Sequence, residues 1–148
     1  MKIVLFRPQI PQNTGTIART CSVTGTGLLL VRPFGFSTSS RHLKRAGLDY
    51  WDDLQVQEID DLEEHLSDDF FFFSSKADKC YTTAPYTKES MLIFGSEDSG
   101  LPPEFFQRWP ERFYRIPMRP GARCLNLACS TAVVLYEALR QATFETMK

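Results

Sequence analysis

The stretch LIFGSEDSGLP, residues 92–102, begins as a buried strand and ends as a tight turn into a helix. Leu92, Ile93 and Phe94 form a short apolar run, and the polar residues after them are bracketed by Gly95 and Gly100, which permit a backbone turn that a Cβ hinders. Pro102 and Pro103 then suit the first turn of a helix. Such a loop presents main-chain groups at close range to a flat ligand.

Working outward, comparable apolar runs lie at 2–6, 27–32, 54–59, 69–75, 90–95 and 112–117, and each reads as a buried strand. Helices are predicted at 13–24, 38–47, 60–66, 102–108 and 125–142. The alternation predicts an α/β fold with a mostly parallel sheet flanked by helices, in one domain spanning residues 1–148 without a linker or internal repeat. The last helix is apolar around most of its circumference, which implies deep burial or packing on another subunit. Four unusual segments directly follow strands: RPQIPQNTG, SSKAD, GSEDSGLP and PMRPGARCLN. In a parallel sheet all four gather at the carboxyl edge, where open α/β sheets bind ligands.

Composition narrows the class. No apolar run approaches the roughly 20 residues needed to span a bilayer, and Arg7 and Pro8 interrupt the N-terminal run too early for a secretory signal, so a cytoplasmic location without membrane contact is expected. Cys21, Cys80, Cys124 and Cys129 contain no CxxC pair, which argues against a zinc site or a disulfide framework; no metal is expected. The net charge of -1 conceals segregation: residues 49–69 hold ten carboxylates and no Lys or Arg, leaving 17 basic against 8 acidic residues elsewhere. Basic residues cluster at Arg32, Arg41, Lys44 and Arg45, and again at Arg108, Arg112, Arg115, Arg119 and Arg123, where a polyanion can dock. Several catalytic classes are disfavoured. TGTG at 24–27 lies between a helix and a strand, the reverse of a dinucleotide-binding loop, no Walker lysine motif occurs, and GSEDSG lacks the central serine of a nucleophile elbow. His42 and His65 read as surface residues rather than catalytic bases.

Three segments, PQNTGTIARTC (11–21), LIFGSEDSGLP (92–102) and RIPMRPGARCLNLACSTAVVLYEALRQ (115–141), resemble the three signature motifs of the SPOUT methyltransferases. The likeness is to the small tRNA 2′-O-methyltransferases of the YibK/TrmL type. It implies a SPOUT fold with a C-terminal trefoil knot, a homodimer, and 2′-O-methylation of the wobble ribose, cytidine or uridine, in the tRNA anticodon stem-loop. The implied cofactor is S-adenosylmethionine, with S-adenosylhomocysteine as product. The methyl carbon is already activated in the sulfonium, so the protein mainly has to place it in line with the 2′-oxygen.

The resemblance carries the donor pocket onto Phe73, Gly95, Ile116 and Cys124, and its neighbouring positions onto Glu97, Gly100, Leu101, Met118, Leu125 and Asn126. It carries the active site onto Arg19, with Asn13 orienting the first loop or capping its helix, and Tyr136 among the polar positions. Arginine is too basic to serve as a general base at neutral pH, so Arg19 is expected to hold a phosphate or a developing alkoxide. Where close relatives read RSxNLSN, this chain reads RCLNLAC, so Cys124, Ala128 and Cys129 replace Ser, Ser and Asn. Those departures bear on rate and substrate choice more than on donor binding. Two other readings are the same chemistry at another tRNA or rRNA position, and a non-catalytic module that binds the donor or RNA. No extra RNA-binding module precedes the first strand, so the domain and its dimer mate are expected to grip the RNA themselves.

Overall fold

A computed structural model describes residues 1–37, 54, 56–145 and 147. The predicted helix at 38–47, with Arg41, His42, Lys44 and Arg45, lies outside the described residues. Seven strands run β1 (Lys2–Phe6), β2 (Gly27–Val31), β3 (Val56–Ile59), β4 (Phe70–Phe73), β5 (Lys79–Cys80), β6 (Met91–Phe94) and β7 (Phe113–Arg115). Their spatial order is β3-β2-β1-β6-β4-β7-β5, and every pair is parallel. Helices α1 (Pro11–Thr24), α2 (Pro103–Arg108) and α3 (Leu127–Gln141) flank the sheet.

The four phenylalanines of β4 show why a continuous apolar run becomes a central strand. Side chains alternate between faces, so Phe71 and Phe73 enter one core layer while Phe70 and Phe72 enter the other. The first layer is covered by α1 and α3 through Ile17, Ala18, Cys21, Val134, Leu135, Ala138 and Leu139. Leu62, Leu101 and Phe105 cover the second. Helix α3 is therefore amphipathic rather than buried all round, with Val133 and Tyr136 39% and 44% exposed on its outer side.

Two expectations need correction. Residues 60–66 form a single 3-10 turn, Glu63–His65, because four acidic residues within five positions repel one another at helical spacing. Strand β5 is an extra two-residue edge strand beside β7, where no apolar run announced one.

Candidate functional site

The loops after β1, β4, β6 and β7 do converge at the carboxyl edge, where they enclose a cleft of about 510 Å³. That volume lies within the range typical of small-molecule sites. All ten residues assigned to the donor pocket line it: Phe73, Gly95, Glu97, Gly100, Leu101, Ile116, Met118, Cys124, Leu125 and Asn126. Asn13 lines it as well. Apolar walls from Phe73, Phe94, Leu101, Phe106 and Ile116 offer a slot for a flat ring, and Ser74, Ser75, Glu97, Asp98 and Asn126 supply polar groups.

The turn from Gly95 to Gly100 has a steric reason for its glycines. A Cβ on Gly95 would lie 2.3 Å from the carbonyl carbon of Gly100 and 2.5 Å from the nitrogen of Leu101. Gly100 has φ +70°, the left-handed region, and pairs with Ser96 in both directions: the Ser96 N–H donates to its carbonyl at 3.1 Å, and its own N–H donates to Ser96 at 2.9 Å. The loop thus closes on itself at the pocket floor. The Asp98 carboxylate accepts from the Ser96 hydroxyl and the Ser99 N–H, which hold its carboxyl below the usual carboxylate range.

Glu97 is tied more firmly to protein than the sequence suggested. Its carboxylate accepts from the backbone N–H groups of Gln9 at 2.8 Å and Ile10 at 3.2 Å, and from the Asn13 amide at 3.0 Å. These bonds anchor the start of α1, whose own N-cap, Ile10, provides no side-chain cap. An anion there also complements the positive end of the helix dipole. Asn13 does not cap α1, since it lies inside the first turn; it orients the loop by bridging Glu97 and Asn126, whose amide donates to the Asn13 oxygen at 2.9 Å. Asn126 in turn caps α3, accepting from Ala128 N–H at 2.8 Å and Cys129 N–H at 3.3 Å. One polar chain therefore joins the three motifs.

Arg19 and Tyr136 stand outside the cleft lining, on the exposed faces of α1 and α3. Helix geometry explains why: six residues separate Arg19 from Asn13, a rise of about 9 Å and a large rotation about the axis. Ser74, Ser75, Lys76, Asp98 and Phe106 line the cleft but were not singled out as site residues. The signal for the first three is the polar SSKAD segment directly after the apolar run of β4. Part of the charge segregation is used internally: Arg32 pairs with Glu58 at 2.9 Å and Asp60 at 3.1 Å, and Arg108 pairs with Glu63. Arg119 and Arg123 remain exposed on the β7–α3 loop at the cleft. Among the described residues, no group of three or more His, Cys, Asp or Glu side chains could hold a metal, and no helix is long and apolar enough to cross a membrane.

A parallel α/β domain with a cleft built from strand-end loops is of the class that binds its ligands at the carboxyl edge of the sheet. The chain belongs to the SpoU rRNA Methylase family, whose model matches residues 1–136. A chain from Geobacillus stearothermophilus is 43% identical over 97% of this chain and 96% of its own length. The tRNA (cytidine(34)-2'-O)-methyltransferase of Methylovorus glucosotrophus is 42% identical, covering 96% of both chains. Among solved structures, a Bacillus anthracis chain superposes with a TM-score of 0.91 at 40% identity, covering 99% of this chain and 97% of that one. A chain solved for the 2-OH methylation of C/U34 on tRNA gives 0.88 at 40% identity, covering 96% and 95%. An AdoMet-bound rRNA methyltransferase from Sinorhizobium meliloti gives 0.82 at 28% identity, and this chain covers 55% of it.

Proposed function

We propose that this protein transfers a methyl group from S-adenosylmethionine to the ribose 2′-oxygen of nucleotide 34, cytidine or uridine, in the tRNA anticodon stem-loop. The product is S-adenosylhomocysteine. The observation that carries the reading is the convergence of three distant motifs on one cleft through Glu97, Asn13 and Asn126. The relatives that share the whole chain length and are named or described for this reaction point the same way.

The residues present fit the donor. The apolar slot would hold an adenine ring, the Ser96–Gly100 turn would offer it backbone groups, and Asp98 would offer a carboxylate to positive charge. The donor would supply an activated methyl carbon; the transfer forms a C–O bond, breaks a C–S bond and passes the 2′-hydroxyl proton to water. What the chain contributes is placement and charge. Arg19 holds an RNA phosphate or the developing alkoxide, a role its permanent charge suits. The exposed Arg119 and Arg123 meet further phosphates, giving an affinity that falls with salt.

Because Arg19 and Tyr136 stand outside their own chain's cleft, the reading requires a homodimer in which they serve the partner's site. Exposed apolar groups on these two helices, which pack against each other, support it: Val23 on α1 is 60% exposed, and Val133 and Tyr136 on α3 are exposed as well. The proposed enzyme also has a C-terminal trefoil knot, to which the segment between β7 and α3, residues 116–126, belongs. In its favour, this segment leaves β7, contacts the β4 loop through Cys124 and Ser75, and reaches α1 through Asn126 and Asn13. A cytoplasmic enzyme meets its tRNA directly.

The test is methyl transfer from labelled donor to tRNA from a strain lacking the modification, followed by nuclease mapping. Label on the wobble ribose is expected, and Arg19→Ala is expected to abolish it in single turnover. Label at another tRNA or rRNA position would retain the chemistry and change the substrate. Bound donor without any label would leave a non-catalytic module.

A further inference from the structure

Lys76 is the only cation among the described residues that line the cleft. Its backbone is fixed tightly. Ser74 N–H donates to the Tyr114 carbonyl at 3.0 Å, Ala77 N–H closes the turn onto the Ser74 carbonyl at 3.2 Å, and Ala77 itself is buried in the second core layer. The neighbouring Ser75 hydroxyl contacts Cys124 across the cleft at 3.4 Å. The Lys76 side chain is exposed, and no carboxylate or carbonyl among the described residues pairs with its amine. A rigid turn therefore delivers an unpaired ammonium to a ligand cavity.

Another lip of the cleft is acidic, carrying Glu97 and Asp98 on the loop after β6, the strand that pairs directly with β4. A methyl donor with a sulfonium, an α-ammonium and an α-carboxylate finds counter-charge for its two cationic groups on that lip. Its carboxylate finds only repulsion there. We infer that Lys76 is the anchor for the α-carboxylate of the donor's amino-acid tail, a specificity-determining contact for ligands bearing that group. This rests on the reading of the cleft as the methyl-donor site.

The arrangement has a consequence for turnover. Glu97, Asp98 and Lys76 together carry one net negative charge, which complements a donor of net charge +1 better than the neutral zwitterion left after transfer. The cleft favours substrate over product while holding both by the same tail.

Titration calorimetry on the full chain tests the assignment with two probes, S-adenosylhomocysteine and its decarboxylated analogue, which lacks only the carboxylate. Lys76→Met is expected to weaken S-adenosylhomocysteine on the order of tenfold, the scale of one charged hydrogen bond, and to leave the decarboxylated analogue within about twofold. Lys76→Arg is expected to restore most of the loss. Equal weakening of both probes, or no weakening of either, overturns the inference. Unchanged S-adenosylhomocysteine binding with a raised KM for tRNA also overturns it and assigns Lys76 to an RNA phosphate. A wild-type chain that binds neither probe overturns the donor-site reading together with the inference.

Discussion

Gly95→Ala tests the steric logic of the pocket floor most directly. The added Cβ would stand 2.3 Å from backbone carbon of Gly100, whereas ordinary contact begins at 3.4 Å. The obstacle is main chain, so no side-chain rotation relieves it. If the two backbones part to restore contact, they separate by about 1.1 Å, and the paired hydrogen bonds of 3.1 and 2.9 Å lengthen to about 4.2 and 4.0 Å, beyond bonding range. Two lost backbone bonds amount to about 1–3 kcal/mol. For a domain of this size that lowers Tm by about 2–12 °C. Leu101, which lines the cleft just beyond, moves with the loop, so S-adenosylhomocysteine binding is expected to fall well over tenfold. Gly100→Ala is the control: it strains a φ of +70° at about 1–2 kcal/mol but meets nothing within 4 Å, so it destabilises while leaving the cleft open. Differential scanning fluorimetry and calorimetry report both quantities. A Gly95→Ala protein that binds S-adenosylhomocysteine as wild type does, with Tm shifted by less than about 1 °C, would falsify the argument.

Other outcomes follow from the same geometry. Asn13→Asp is expected to be more destabilising than Asn13→Ala at neutral pH, because it sets a second anion against Glu97; equal Tm values would show that the 3.0 Å contact carries no direction. The Asp98 carboxyl, held low by the Ser96 hydroxyl and the Ser99 N–H, contributes stability that is complete above the ordinary carboxylate range and is lost as pH falls through its lowered value. Asp98→Asn should therefore flatten the acid limb of a Tm-against-pH curve, and an unaltered limb rejects the contribution. Burial pushes the Cys21 thiol up to about 12, so in the native protein it should resist a disulfide reagent that modifies exposed Cys124, and should react only on denaturation. Prompt labelling of Cys21 under native conditions, read by peptide mass, contradicts its placement in the core.

Much of the fold was legible because its central strands are uninterrupted apolar runs. Ile3–Phe6, Leu28–Val31 and Phe70–Phe73 have to be buried on both faces, as the strands of a parallel sheet covered on both sides are. The failures have local causes. Strand β5 consists of Lys79 and Cys80, one exposed and one half-buried, and gains its extended form from pairing with β7 rather than from its own residues. Residues 60–66 carry the leucine spacing of a helix, but Leu62 alone is deeply buried while the acidic side chains keep the segment to one turn. In the site, the glycines and the ring-lined slot were readable because their roles depend on residue type. Lys76 was not singled out, since a lysine in a polar loop looks like any solvated charge until the fold turns it toward a cleft.

The polar chain across the site runs in only one direction. Backbone N–H groups at the start of α3 can only donate, so the side-chain oxygen of Asn126 must face them and its nitrogen must point away. That nitrogen requires an acceptor, which fixes the Asn13 amide with its oxygen toward Asn126 and its own nitrogen outward. The third member must then be an acceptor-only group, and it must also take the two N–H groups that open α1; an ionised carboxylate at 97 meets all three demands. An amide there would turn a donor toward a donor. The polarity set by one helix terminus is thus passed through two asparagines to the other. The identities Asn13, Glu97 and Asn126, far apart in sequence, are consequently a single choice. Any catalytic duty these residues carry is built on an arrangement that already holds the three cleft loops together.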